Sequence, residues 1–365
     1  MQKKIIHKKI LIAPLDWGLG HATRCIPLIH FLQQIGCEII IAAADEQLLL
    51  LKQEFPGITT LFLKGYNITY TRYKRWLPLK ILLQVPKILQ SIHRENKGLK
   101  KTIKDLNIDI VISDNRYGLY TKEVPCVFLT HQLLVKAPFR WLENLIQKIN
   151  YRYINRYTEC WVPDVESKVN VAGLLSHPPL RPSIPVRYIG LLSRFELKKD
   201  EEKKYDYLFI ISGPEPQRTV FEKKILQTIP RLNGKSVMLR GKPGEKEMPE
   251  VLPNCFVKNH AATHELKKLL NESEFIISRC GYTTVMEILS SHKKAILIPT
   301  PGQTEQEYLA KHLMKQQWCY SFQQKDNFLE QIENAKKFPF QFPSIDTNMF
   351  QTVVGEFLKR TVEKE

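Results

Sequence analysis

Short apolar runs alternate with longer amphipathic stretches along both halves of the chain. The runs have the length and composition of buried strands, and the stretches between them repeat their apolar residues with a helical period. Strands that alternate with helices indicate βαβ units and a parallel sheet. The predicted strands are 9–14, 37–43, 58–63, 108–113 and 124–129 in the first half, and 207–211, 236–240, 275–277 and 295–298 in the second.

This pattern starts twice, and both times a strand, a glycine turn and a helix follow one another. A proline-rich stretch, 162–188, is predicted to end the first half, and the charged segment 196–204 is predicted to link it to the second. We therefore predict an α/β fold with two doubly wound, Rossmann-like domains that face a central crevice. The predicted limits are 1–193 for the N-terminal domain and 194–345 for the C-terminal domain, with an amphipathic C-terminal helix, 346–365, that crosses back to the N-terminal domain.

Composition narrows the class of protein. The 365 residues are enough for two domains, and the formal net charge of +17 favours an anionic partner: nucleic acid, acidic lipid or a phosphate-bearing substrate. The seven cysteines include no CxxC pair, which argues against a disulfide framework or a structural zinc site and favours a reducing cytosol. The N-terminal apolar run is too short for a signal peptide, and no stretch of about 18 apolar residues predicts a membrane-spanning helix.

Residues 64–104 form a basic section with eleven Lys or Arg residues and one acid, Glu95. Aromatic and aliphatic residues, among them Trp76, are interleaved with the basic ones. A basic amphipathic helix with Trp at its edge is typical of a contact with an anionic membrane surface. Two alternatives remain open. One is a solvated face over ordinary core packing, and the other is a nucleic-acid surface, although no nucleic-acid-binding module is recognised.

The first glycine turn, Gly18-Leu19-Gly20-His21, is a candidate site. Gly18 and Gly20 let the backbone approach a ligand closely, and the ordinary pKa of a histidine suits His21 to act as a general base. The alternative is a plain glycine turn with a capping histidine. The turn is not a dinucleotide fingerprint, because Thr23 stands where GxGxxG has its third glycine.

Asp114 and His131 are candidates for an acceptor pocket. Each follows a predicted strand, so each would lie at the carboxyl edge of the first sheet, where α/β proteins bind ligands. The alternative is that both are ordinary turn or capping residues.

The second half has its own glycine turn, Ser212-Gly213-Pro214, which leads into a predicted helix. A helix N-terminus favours a phosphate, and Arg218 would add positive charge. Pro214 and Pro216 weaken this interpretation because proline has no N–H to donate. The lysine spacing of a P-loop is absent.

The segment 278–308 joins a strand, a glycine turn, a helix, a second strand and a polar loop. Gly281 breaks the first strand, and Thr283 and Thr284 are predicted to open the helix, where N–H groups favour a diphosphate. Glu287 lies one turn further. It either accepts the hydroxyls of a ribose or closes a capping box with Thr284.

Together these motifs resemble the two-domain GT-B glycosyltransferases, and most closely the MurG-type enzymes of family 28. The resemblance covers nearly the whole chain. It rests on GLGHATR at 18–24, SRCGYTTVMEIL at 278–289 and the polar loop PTPGQTEQEY at 299–308. The chain departs from the family pattern in having fewer glycines in the first loop, two prolines in the second-domain turn, and Glu307 where a second glutamine is usual.

The resemblance implies a role for each matching residue. It implies that Glu287 binds the donor ribose, that Arg194 assists the diphosphate, and that His21 is the catalytic base near the acceptor. Asp114 and His131 match acceptor-side positions of a related branch. The full set predicted to bind the donor is Gly18, Gly20, Arg194, Ser212, Gly213, Arg218, Arg279, Gly281, Tyr282, Thr283, Thr284, Glu287, Gln303, Gln306 and Glu307.

The resemblance also implies an activity. The expected protein is a cytoplasmic glycosyltransferase, peripheral on the inner face of the membrane, that moves a sugar from a nucleotide diphosphate donor, a UDP-sugar, to a lipid-linked or other membrane-proximal acceptor. No cofactor and no nucleic acid are expected, and the absence of an Asp-x-Asp motif favours a mechanism without a metal ion. Two alternatives remain open: a non-hydrolysing UDP-sugar epimerase, and a non-enzymatic basic protein that binds lipid surfaces.

Overall fold

The computed structural model describes residues 7–66, 77–137, 139–195, 202–242, 244–247 and 252–363. The chain forms two compact units. The first takes its described residues from the segments 7–66, 78–192 and 345–363, and the second takes Leu77 and the described residues of the segment 193–344. Residues 67–76 of the predicted basic section, Trp76 included, and residues 196–201 of the predicted linker lie outside the described residues.

The first unit is built on a parallel sheet. Its described strands are β1 (Lys9–Pro14), β2 (Glu38–Ala43), β3 (Thr59–Phe62), β4 (Ile110–Asp114), β5 (Cys126–Leu129), β6 (Glu159–Val162) and β7 (Val186–Tyr188). They lie in the order β3-β2-β1-β4-β5-β6-β7. Successive residues of the central strand β1, such as Ile10 and Leu11, are both buried, so both faces of the sheet are covered. This explains why its strands have continuous apolar runs instead of alternation.

Four helices follow strands of this sheet: α1 (Leu19–Gln34), α2 (Asp45–Glu54), α3 (Leu77–Leu106) and α4 (Arg140–Ile154). The core on one face joins Leu11, Val111 and Phe128 of three neighbouring strands to Leu99 and Ile103 of α3. Helix α3 contains most of the predicted basic section. Its apolar side chains at 92, 99 and 103 face this unit, so that part of the section packs as an ordinary amphipathic helix.

The second unit repeats the design. Its described strands are β8 (Tyr205–Ile210), β9 (Ser236–Leu239), β10 (Cys255–Lys258), β11 (Ser273–Ser278), β12 (Lys294–Leu297) and β13 (Tyr320–Ser321), all parallel in the order β10-β9-β8-β11-β12-β13. Its helices are α5 (Gln217–Thr228), α6 (Thr263–Glu272), α7 (Tyr282–Ser290), α8 (Thr304–Lys315) and α9 (Phe328–Lys336). Its core is rich in aromatic residues, with Phe209, Phe221 and Tyr207 buried together.

The C-terminal helix, α10 (Met349–Val362), packs on the first unit. The ring of Phe357 meets Trp161 of β6 edge-on at 5.3 Å, and Phe350 meets Phe31 of α1 at 5.8 Å. Arg360 donates to Glu159 at 2.6 Å. The last residues of the chain therefore complete a sheet face that is formed by the first half.

The prediction of two doubly wound, Rossmann-like α/β domains is confirmed, and every described strand pairing within the two sheets is parallel. Strands β6, β7, β10 and β13, which lie at the edge of a sheet or next to it, were not predicted. The proline-rich stretch 162–188 is more than an exit from the first half, because it ends by adding β7 to the sheet. In the described part of the chain, every helix is too short or too polar to cross a bilayer.

Candidate active site

Both sheets reverse their strand order at one point, between β1 and β4 in the first unit and between β8 and β11 in the second. The carboxyl ends of the strands beside such a point are where open α/β sheets bind ligands. Asp114 ends β4 opposite Pro14, and Ser278 ends β11 opposite Ile210. Several residues singled out from the sequence, among them Asp114, Ser212 and Gly281, therefore lie at or just after the strands that flank the reversal point of each sheet.

In the first unit, the glycine turn between β1 and α1 is held in place by side chains from elsewhere. Gly18 has φ of +80°, a left-handed conformation that glycine adopts without strain. Gln47 Nε2 donates to the carbonyl oxygens of Leu15 and Gly18, at 2.5 and 2.7 Å. Helix α1 begins at Leu19, so His21 lies within its first turn.

Four polar side chains meet at the end of β4. Arg24 donates from Nε to Asp114 Oδ2 at 2.8 Å and from Nη2 to Asp114 Oδ1. His21 Nδ1 lies 3.1 Å from Asp114 Oδ2 and 2.8 Å from Arg24 Nη2. His131 Nδ1 lies 3.2 Å from Arg24 Nη1. The structure thus brings together three residues predicted from the sequence, His21, Asp114 and His131, around a buried arginine that was not singled out.

Burial and charge set the protonation of this cluster. Burial is the main cause that lowers the pKa of His21, and the charge of Arg24 lowers it further, while Asp114 acts in the opposite direction. Burial alone would raise the pKa of Asp114, but Arg24 and His21 outweigh it and hold that pKa at about 2. At neutral pH, Asp114 is therefore ionised and His21 is neutral.

His21 Nδ1 lies between a donor, Arg24 Nη2 at 2.8 Å, and an acceptor, Asp114 Oδ2 at 3.1 Å. In the tautomer in which Nδ1 donates to the Asp114 carboxylate, the lone pair lies on Nε2. Nε2 has no hydrogen bond to any described residue. An imidazole held in this way is able to accept a proton from a substrate hydroxyl.

A second buried network holds the backbone at the end of β1, just before the same turn. Arg116 donates to the carbonyl oxygens of Pro14 at 3.1 Å and Lys64 at 2.6 Å, and it pairs with Glu95 of α3. Burial raises the pKa of Glu95, and the charge of Arg116 opposes that shift. Glu95 is the one acid of the predicted basic section. A single acid among many basic residues was therefore the sequence signal for a buried ion pair.

In the second unit, Ser212 and Gly213 form the turn between β8 and α5. Gly213 has φ of +110°, and a Cβ added there would meet no atom within 4 Å, so the turn leaves open space beside it. Arg218, predicted to bind the donor, is buried and already engaged. It donates to Glu215 at 2.7 Å and to the carbonyl oxygen of Arg240 at 2.9 Å, and it pairs with Glu222. Its charge is thus shared with two carboxylates.

Arg279, also predicted to bind the donor, is buried directly after β11. Its guanidinium stacks over Phe221 at 4.0 Å, and its donors contact oxygens of Gln217, Ile298, Pro299 and Gln324. No carboxylate of a described residue pairs with it, and burial lowers its pKa to about 9. Arg279 therefore joins the start of α5 to the segment after β12.

Glu287 on α7 pairs with Arg194, and both were predicted to bind the donor. Arg194 Nε donates to Glu287 Oε1 at 2.6 Å, and its Nη1 donates to Thr263 Oγ1 at 3.2 Å. Helix α7 begins at Tyr282, its N-cap is Gly281, and no side chain caps it. The capping-box alternative is therefore wrong, because Thr284 lies inside the helix and Glu287 turns to Arg194.

The predicted polar loop at 302–307 is partly helical, since α8 begins at Thr304 with Gln303 as its N-cap. Gln306 accepts a hydrogen bond from the Thr300 N–H at 2.9 Å, and Glu307 accepts one from the Gly302 N–H at 3.0 Å. Both side chains fold back on the turn that precedes them. Their predicted contact with a donor sugar would compete with this support.

Comparison with known proteins gives a consistent result. The family model described as the glycosyltransferase family 28 C-terminal domain matches residues 208–343. A Methanosarcina mazei protein named an uncharacterized glycosyltransferase is 24% identical over 325 residues, which is 82% of this chain and 81% of that protein. A Clostridium botulinum protein is 25% identical over 291 residues, covering 77% of this chain and 75% of that protein. Its name is UDP-N-acetylglucosamine--N-acetylmuramyl-(pentapeptide) pyrophosphoryl-undecaprenol N-acetylglucosamine transferase.

Among solved structures, MurG of Acinetobacter baumannii matches with a TM-score of 0.56 and 15% identity, over 97% of this chain and 99% of that one. The two parallel sheets and these likenesses define a glycosyltransferase of the GT-B fold. Within that class, the second unit matches the family 28 C-terminal domain, over residues 208–343. The comparisons favour this enzyme over the epimerase and the non-enzymatic alternatives.

Proposed function

We propose that this glycosyltransferase moves a sugar from a UDP-sugar to a hydroxyl of a lipid-linked or otherwise membrane-proximal acceptor. In this proposal the second unit binds the donor, and the first unit binds the acceptor. The observation that carries it is the 3.1 Å contact between His21 Nδ1 and Asp114 Oδ2, because it provides an oriented base in a protein of this class.

Donor binding is assigned to the reversal point of the second sheet. Glu287 Oε2 has no hydrogen bond to a described residue, so it remains able to accept from a ribose hydroxyl while Oε1 holds Arg194. Arg194, beside it, would carry positive charge to the diphosphate. The turn at Ser212 and Gly213 and the N-terminus of α7 would receive phosphate oxygens, as helix N-termini do.

The proposed reaction is a substitution at the anomeric carbon of the donor sugar. His21 Nε2 takes the proton of the acceptor hydroxyl, whose oxygen bonds to the anomeric carbon while the bond from that carbon to the diphosphate oxygen breaks. Asp114 stabilises the imidazolium that forms. Arg194 and the N–H groups at the start of α7 stabilise the charge that grows on the departing UDP.

Two findings support the finer parts of the proposal. The name of the Clostridium botulinum relative specifies a UDP-linked donor and an undecaprenol-linked acceptor. The net charge of +17 suits an anionic donor and an anionic surface.

Nucleotide binding tests the donor assignment. In a thermal-shift series with UDP, GDP and dTDP, we expect UDP to stabilise the protein most, because a ligand that binds only the folded state raises its stability. Glu287→Ala should weaken UDP affinity roughly 10–100-fold in calorimetry, which is the worth of a hydrogen bond to a charged group. Glu333→Ala, at an exposed glutamate of α9, is the matched control. Tighter binding of GDP, or unchanged UDP affinity in Glu287→Ala, would contradict the assignment.

A further inference from the structure

Helix α4 has a row of large apolar side chains that are exposed to solvent. Trp141, Leu145 and Ile149 are four residues apart and so lie on one face of the helix. All three are exposed, Trp141 to 66%. Phe139, just before the helix, is 61% exposed, and its ring stacks with that of Trp141 at 6.3 Å between centroids. Contiguous exposed apolar side chains of this size mark interaction surfaces.

The opposite face of α4 is fixed to the first unit. Gln147, Asn150 and Ile154 are buried there. Asn150 accepts from the Tyr117 hydroxyl at 2.9 Å and donates to the carbonyl oxygen of Gln132 at 3.3 Å. The inward face of α4 is therefore packed against the first unit, and the exposed apolar side chains point away from the core of that unit.

The unpaired charges on α4 are all positive. Arg140, Lys148 and Arg152 are exposed, and none of them forms an ion pair with a described residue. The one acid of the helix, Glu143, contacts the segment just before the helix: it pairs with Lys136 at 3.5 Å and accepts a hydrogen bond from the Ala137 N–H. A helix that interleaves Trp, Leu and Ile with unpaired Arg and Lys has the composition of one that lies in a lipid interface.

We propose that the exposed face of α4 docks on an anionic lipid bilayer surface. The apolar side chains would enter the boundary between headgroups and acyl chains, and Lys148 and Arg152, on the same side of the helix, would face anionic headgroups. A second copy of the chain is a poorer occupant, because pairing two such faces brings like charges together. This surface lies outside residues 64–104, the section in which the sequence predicted a membrane contact.

The docking face is joined to the candidate active site through one loop. The segment 130–139 connects β5 to α4 and contains His131. Asn150 and Glu143 of α4 both bond to the backbone of this segment, at Gln132 and Ala137. When α4 docks on a bilayer, the segment that contains His131 therefore lies at the level of the headgroups. This step rests on the proposed function, since it gives a lipid-linked acceptor a short path to the first unit.

Vesicle flotation of the full chain tests the docking. The probes are vesicles of phosphatidylcholine with about 30% phosphatidylglycerol, and vesicles of phosphatidylcholine alone. We expect the wild type to float with the anionic vesicles, and Trp141→Glu/Leu145→Glu to bind them at least about tenfold more weakly. Leu180→Glu, at an exposed leucine of the same unit outside α4, is the matched control and should bind as the wild type does.

Three results would overturn the proposal. One is a wild type that does not float with anionic vesicles, and another is a double variant that floats as well as Leu180→Glu. The third is self-association of the wild type in sedimentation velocity that Trp141→Glu/Leu145→Glu abolishes while vesicle binding persists, which would assign the face to a second copy. UDP affinity, measured on the same variants without vesicles, reports on the donor assignment independently, so failure of one proposal is distinguishable from failure of the other.

Discussion

Replacing His21 with asparagine separates its two proposed contributions, the bond to Asp114 and the lone pair on Nε2. The amide of asparagine can place a donor near the position of His21 Nδ1, which lies 3.1 Å from Asp114 Oδ2. Asp114 keeps its bonds to Arg24 in the variant, so the buried carboxylate stays paired and the fold should persist. What the variant lacks is any atom able to take a proton at the place of Nε2.

The expected loss of turnover is roughly 10²–10⁴-fold, the usual contribution of a positioned general base. That range corresponds to about 3–5 kcal/mol of transition-state stabilisation. UDP affinity should not change, because the donor is assigned to the second unit. The matched control is His30→Asn, an exposed histidine on the same helix, which should retain full turnover.

The pH profile provides the sharper measurement. The base must be neutral, and the pKa of His21 is lowered from 6.5 by burial, so kcat/KM of the wild type should fall only as pH drops through a value below 6.5. In His21→Asn, the residual rate should not show this acid limb. If the variant kept the wild-type turnover, or kept the same acid limb at a reduced rate, His21 would not be the base.

The same substitution changes the pH dependence of folding. Because the folded pKa of His21 lies below its unfolded value of 6.5, the unfolded chain takes up a proton first as the solution is acidified. The stability associated with His21 is present above pH 6.5 and is lost as pH falls through the folded pKa. Urea unfolding should therefore show a smaller acid-induced loss of stability in His21→Asn than in His30→Asn.

Two further substitutions test the first unit. Arg24→Met leaves the buried Asp114 without its cation, so we expect a loss of about 3–5 kcal/mol in urea unfolding and no measurable turnover; a variant as stable as the wild type would show that the pair is not needed. Phe357→Ala removes the ring that α10 sets against Trp161, and should cost about 3–5 kcal/mol by the same measurement. Val362→Ala, at an exposed position of the same helix, should cost little by comparison.

The fold was predictable because it depends on local pattern. Central strands such as β1 and β4 are buried on both faces, so each appears in the sequence as a continuous apolar run. Edge strands gave no such signal. β13 has two residues, and β7 has three, of which Arg187 is exposed, and such segments exist only because a neighbouring strand is there to pair with.

The position of the candidate site in the first unit was predictable for a similar reason, but the pairing of Asp114 with Arg24 was not. A residue that ends a central strand lies at the binding edge of the sheet, which places Asp114 and the turn before His21 close together. The pairing of Asp114 with Arg24 joins residues 90 positions apart, and no local pattern encodes it. The usable hint was spacing, since Arg24 follows His21 by one helical turn and so shares its face.

Glu287 shows how a contact between residues far apart in sequence can override a local sequence pattern. Thr284 and Glu287 have the spacing of a capping box, but that spacing works only if the helix begins at the threonine. The chain instead enters α7 through Gly281, whose extended backbone makes it the N-cap, and the threonine is thereby moved into the first turn. Glu287 is then free to meet Arg194, 93 residues earlier in the sequence. One carboxylate oxygen holds the arginine, and in the proposed function the other would accept from a ribose, so the two residues would bind a donor together.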